Sequence, residues 1–164
     1  MVTSGATILL ARDRFEVDLD QYRRALARAA SSRGDARRAA LAEAVRLYAG
    51  DLFADDPFEE WVQPHRDRLA RQYLDTLALL AEAEEAAGEY QSAFLHWQDL
   101  ADRDPGAEHA CRGLMRAHLA LGRGADALRA FEACRRALAD LGAVPSPETM
   151  SLRARIPQAG TDAR

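Results

Sequence analysis

An all-α fold is predicted for this sequence: three helical hairpins stacked in a row and closed by a short C-terminal helix, with a short β-strand or hairpin at the N-terminus. Three observations predict it. Apolar residues recur at helical spacing, first at Leu74, Leu77, Leu80 and Ala81, then at Tyr90, Ala93, Phe94, Trp97 and Leu100. Gly88 separates the two runs, and Pro105, which has no backbone N–H to continue a helix, ends the second. Finally, Gly88, Ala93 and Trp97 reappear 34 residues on as Gly122, Ala127 and Phe131, with Leu114 in the place of Leu80.

Gly88, Tyr90, Ala93, Trp97 and Pro105 fall where a tetratricopeptide repeat places Gly, Tyr, Ala, an aromatic and Pro. The small Ala93 lets two helices approach, and Trp97, one turn later, fills the gap above it. A weaker upstream copy keeps the offset as Gly34 and Ala39, with about 20 residues inserted before the second repeat. Three hairpins meet the minimum for a self-supporting stack.

Met1 to Gly5 is small and polar and is expected to be frayed. Ala6 to Val17 is β-prone and reads as one or two strands with a turn near Asp13. Asp18 can cap a first helix to about Arg33, with Tyr22, Leu26 and Ala29 or Ala30 inward. The second helix, about Ala36 to Ala49, buries Ala40, Ala44 and Leu47. Gly50 to Pro57 is a loop with Leu52 and Phe53 tucked in. Phe58 opens a long helical stretch to Ala87, in which Pro64 makes either a kink or a restart, and Trp61, Leu69, Tyr73 and Leu77 form an apolar stripe. The third hairpin spans about 107–121 and 124–141, with Leu114, His118 and Leu121 set against Leu128, Phe131 and Leu138. Ser146 can cap a last helix, Pro147 to Ile156, that covers the end of the stack. Pro157 to Arg164 is expected to be disordered.

With 164 residues, 48% hydrophobic and 29% charged, this is one ordinary globular domain, or one such domain with a short appendage. No apolar run could span a bilayer and no N-terminal segment resembles a signal peptide, so a cytoplasmic location without membrane contact is expected. A net charge of −4 gives the chain no attraction of its own for nucleic acid. All basic residues are arginine. Arg23, Arg24, Arg28, Arg33, Arg37 and Arg38 cluster on the first hairpin, either as a solvated face or as a patch for phosphate or an acidic partner.

No catalytic, cofactor-binding or metal-binding set emerges. The phosphate-loop, His-Glu-x-x-His and Gly-x-Ser-x-Gly patterns are missing. His65, His96, His109 and His118 are scattered, and His118 falls on a core-facing position where a satisfied polar residue is expected. Cys111 and Cys134 read as small buried apolar residues. Asp55, Asp56, Glu59 and Glu60 read as solvated charge near a helix start. Partner-binding residues are not identifiable.

The order of landmarks carries one further signal. Val17-Asp18-Leu19-Asp20, Leu47-Tyr48-Ala49-Gly50-Asp51-Leu52, Asp56-Pro57-Phe58-Glu59-Glu60-Trp61, Arg66-Asp67-Arg68-Leu69, His109-Ala110-Cys111-Arg112-Gly113-Leu114-Met115, Leu121-Gly122-Arg123, Arg135 to Gly142 and Pro145-Ser146-Pro147-Glu148 follow one another. Together they resemble the bacterial transcriptional activator domain that accompanies a winged-helix DNA-binding domain in the antibiotic-regulatory-protein class of activators. The resemblance covers about Val17 to Ile156. It implies that residues 1–17 are the remnant of a winged-helix domain, that 18–156 form the TPR-like domain, and that 157–164 are a tail. It implies no catalytic residue. It implies protein partners, either a second copy, RNA polymerase or another regulator, with DNA reached only through a winged-helix domain outside this chain. A general TPR adaptor unrelated to transcription is the alternative.

Overall fold

The structure is a computed structural model that describes residues 2–4, 7–9, 18–48, 50 and 60–157. Among the described residues seven α-helices follow a short strand pair: β1 (Val2–Ser4), β2 (Thr7–Leu9), α1 (Asp18–Ser31), α2 (Gly34–Leu47), a 3₁₀ turn (Glu60–Val62), α3 (Gln63–Ala86), α4 (Tyr90–Arg103), α5 (Glu108–Ala120), α6 (Gly124–Asp140) and α7 (Pro147–Ala154). From α1 to α6 consecutive helices pack on one another, and α7 packs on α5. This is the expected stack of three hairpins with a C-terminal cap.

The strands differ from expectation in position. Val2–Ser4 pairs antiparallel with Thr7–Leu9, Val2 opposite Leu9, so the segment expected to fray is half of the hairpin. The expected turn near Asp13, the loop around Leu52 and Phe53, the side chains of Asp55, Asp56, Glu59 and Glu60, and residues 158–164 lie outside the described residues.

The core is built in layers. Tyr73, Leu77, Ala81, Ala93, Trp97, Leu100, Ala110 and Leu114 form the central cluster. Cys111, Met115, Ala127, Phe131, Cys134, Leu138 and Ile156 form the next one along the stack. Leu114 therefore faces the central hairpin, and Cys111 and Met115 take the place against α6 expected for it. At the other end a tyrosine ladder bridges the inserted segment. Tyr22 and Tyr48 meet at 6.3 Å, Tyr48 stacks on Tyr73 at 4.1 Å, and the Tyr22 hydroxyl lies 3.1 Å from Thr76 Oγ1.

Two helix ends repeat the same chemistry. At Gly88 (φ 79°) the Glu89 N–H donates to Glu84 O at 2.9 Å, and at Gly122 (φ 73°) the Arg123 N–H donates to His118 O at 2.8 Å. A left-handed glycine with a bond reaching back five residues is the helix-ending arrangement that lets the next helix start at once. Gly34 is different. It is the first residue of α2 and does not terminate α1, so the turn is one residue longer before it. The downstream register shifts accordingly: Ala40 is buried and Ala39 is exposed, whereas Ala93 and Ala127 are both buried as the repeat requires. In α1, Ala25 is also buried, Leu26 is half-buried and Ala30 is exposed.

Pro64 restarts the chain and does not kink it, sitting in the first turn of α3 where its missing N–H costs nothing. The 3₁₀ turn before it has a period of about three residues, which breaks the helical phase. Val62 is therefore buried at 1% exposure, and Trp61, expected in the stripe, is 64% exposed.

Candidate functional site

The junction of α3, α4 and α5 is the most densely linked part of the stack. Trp97 is 1% exposed and lies flat against Gly113, where an added Cβ would stand 2.3 Å from the indole ring. Its Nε1–H donates to Glu85 Oε1 at 2.8 Å, and Arg116 Nε donates to Glu85 Oε2 at 2.9 Å. The Arg116 guanidinium also stands 5.8 Å over the indole, and His109 meets its edge at 6.1 Å. Beside this network, His96 Nδ1 pairs at 2.8 Å with Glu84, a carboxylate only 6% exposed. A glycine inside a helical pattern was the one sequence signal for this close approach.

A second polar junction fastens α7. Glu108 Oε2 accepts from the Ser146 N–H and hydroxyl, both at 2.8 Å, and from the Thr149 hydroxyl at 2.6 Å. Arg112 Nη1 donates to Thr149 Oγ1 at 2.9 Å. Burial by itself pushes the Glu108 carboxyl up. The Thr149 and Ser146 hydrogen bonds and the Arg112 charge outweigh it and hold the group below its ordinary value. A folded-state value below the unfolded one means stability that is full above the unfolded pKa of about 4.3 and is lost as pH falls through the folded value. Glu108→Gln is therefore expected to cost about 1–3 kcal/mol near neutrality. Thermal melts of both proteins across pH 7 to 3 check this, and the gap between them should close at the acid end.

The four histidines are not brought together. His65 meets Arg68 at 3.2 Å, His96 pairs with Glu84, and His109 rests on Trp97. His118 departs from expectation. It lies 4.9 Å from Phe94, and its Nδ1 is the one buried side-chain nitrogen or oxygen without a hydrogen-bond partner among the described residues. Burial first, then Arg123 and Arg129, hold its pKa below the ordinary histidine value. No group of three or more His, Cys, Asp or Glu among the described residues is placed to hold a metal ion. Cys111 and Cys134 are buried free thiols of one cluster, and burial pushes the pKa of both up.

Three of the six arginines of the first hairpin are paired with carboxylates. Arg38 pairs with Glu89 at 2.8 Å and Asp35 at 3.2 Å, Arg23 with Asp20 at 3.9 Å, and Arg28 with Glu43. Exposed pairs of this kind contribute little and keep the face solvated. Clefts open between the helices, among them one of about 430 Å³ between α2 and α3, reaching Arg37 and Leu79, one of about 440 Å³ between α4 and α6, floored by α5, and one of about 800 Å³ between α6 and α7.

Stacked hairpins whose polar groups pair with one another define the class of a helical-repeat module, in which surfaces and clefts are the functional features. The sequence matches the model of the bacterial transcriptional activator domain over residues 17–157, and the chain belongs to that family. Among solved structures it is similar to EmbR of Mycobacterium tuberculosis, solved in complex with a low affinity phosphopeptide. The two share 26% identity and a TM-score of 0.71, over 85% of this chain and 37% of that one. The chain thus spans little more than a third of that relative. No curated protein matches the sequence. No helix among the described residues is long and apolar enough to cross a membrane.

Proposed function

We propose that this chain is a non-catalytic module of a transcriptional activator that works through protein–protein contact. The family match over residues 17–157 carries the reading. The module would self-associate, receive a signal, or touch RNA polymerase or another regulator, on behalf of an attached winged-helix domain that reads DNA. Residues 1–17 are the end of that domain's wing in this reading, and the hairpin of β1 and β2 supports it. The phosphopeptide belongs to EmbR, and 63% of that chain lies outside the shared region, so the ligand is not transferred here.

Light scattering across a concentration series is the first test. A dimer supports a module that pairs two DNA-binding domains and so sets half-site spacing. A monomer that retains RNA polymerase in a pull-down supports docking on the transcription machinery. A monomer that retains neither polymerase nor a co-expressed regulator overturns the reading.

A further inference from the structure

We propose that Cys111, Met115 and Cys134 form a binding site for a soft cation of low coordination number, monovalent copper, held between α5 and α6. The inference does not depend on which partner the module touches. Cys111 and Met115 stand one turn apart on α5, and Cys134 of α6 shares their buried cluster. The Cys111 thiol donates to the Met115 thioether at 3.7 Å. A hydrogen bond also links the Cys111 and Cys134 thiols, so Cys111 meets both other sulfurs. At the ~2.3 Å metal–sulfur distance of thiolate sites, three sulfurs in a plane around one ion stand about 4.0 Å apart. The spacing of Cys111 and Met115 is already close to that.

The donors choose the cation. Two thiolates and a thioether are soft ligands, the kind that selects Cu(I). A structural zinc site takes four ligands from Cys, His and carboxylate side chains, and no group of even three such residues is gathered among the described residues. Binding moves two protons and no electrons. Each thiol loses its proton to solvent as its S–Cu bond forms, and the thioether lends a lone pair. Burial pushes the pKa of both thiols up, so only a cation with strong affinity for thiolate displaces those protons. The loaded site carries one net negative charge. Among the charges that act on both thiols, Arg112 offsets it and Glu108 opposes it. Both cysteines line the cleft between α4 and α6, which gives the ion its way in.

The test uses the full chain, with its thiols reduced and air excluded, and Cu(I) supplied as its coloured bicinchoninate complex. The chain is expected to withdraw one Cu(I) per molecule, with a thiolate-to-copper charge-transfer band in the ultraviolet. Losing a residue that only braces a ligand costs about 10–100-fold in metal affinity, so Cys111→Ala and Cys134→Ala should each weaken binding by about a hundredfold or more. Met115→Leu conserves volume, should keep the parent's melting temperature, and should weaken binding by about tenfold. If a cysteine variant misfolds, Met115→Leu still reads the site. No withdrawal of copper, copper retained by the folded cysteine variants, or unchanged affinity in Met115→Leu overturns the proposal. A chain that takes no copper yet still dimerises or retains polymerase loses this site and keeps the functional reading.

Discussion

Trp97→Ala is expected to lower the unfolding free energy by about 3–5 kcal/mol, the range for a large aromatic removed from a core. Urea denaturation followed by circular dichroism reads it directly, and a melting-temperature drop of roughly 6–20 °C should accompany it. The indole is the piece that three helices share. It descends from α4, lies on Gly113 of α5, and ties Glu85 of α3 through its N–H. Removing it empties the central layer and takes the indole donor from Glu85 Oε1, which keeps only the 3.3 Å bond from Arg116 Nη2, so the cavity cost and the lost hydrogen bond add. A companion measurement isolates the contact. Gly→Ala inside a helix normally stabilises by up to about 1 kcal/mol, but at Gly113 the new Cβ would enter the indole, so the sign should reverse. In the Trp97→Ala background Gly113→Ala should recover its ordinary sign. Additive effects would show that the two residues do not bear on each other.

The stack was legible because its signals are local and periodic. Gly88, Gly122 and Gly142 each have a left-handed backbone, and each sits where the apolar period breaks. What the sequence concealed depends on partners distant in the chain. Which face of α5 meets which neighbour is one case. Leu114 and Cys111 are both core-facing, and only the position of Trp97 from α4 decides that Leu114 turns inward along the stack. The Glu108 fastening is another, because the acid and its donors lie 38 and 41 residues apart and none of them is unusual for a helix end. Trp61 against Val62 is a third. One 3₁₀ turn, set by the restart at Pro64, rotates the entry by enough to exchange them, and large aromatics read as core by default. His118 misled in the opposite direction. Its face was correct, but whether its nitrogen finds a partner depends on what the neighbouring helices place within reach, and no side chain there bonds it.

The register of the repeats gives the second large effect, and three substitutions decide it. Ala93, on α4, has no exposed surface and lies in the central cluster with Leu77 and Ala81 of α3. Ala93→Trp inserts a side chain that the close-packed layer cannot admit, at or beyond the ~3 kcal/mol upper range for overpacking, and should break the central hairpin. An unchanged melting temperature would show that the register assigned to this repeat is wrong. The offset from Gly88 to Ala93, applied at Gly34, points to Ala39 as the matching residue of the first hairpin. The structure points to Ala40, at 6% exposure, with Leu41 and Leu80 beside it. The two assignments predict opposite outcomes from adjacent residues. Ala40→Trp should destabilise as Ala93→Trp does, while Ala39→Trp should fall within about 0.5 kcal/mol of the parent, as surface changes do. The reverse order would mean that Gly34 ends α1 as Gly88 ends α3. The observed order follows from Gly34 beginning α2, which carries every later residue of that helix one place around its axis.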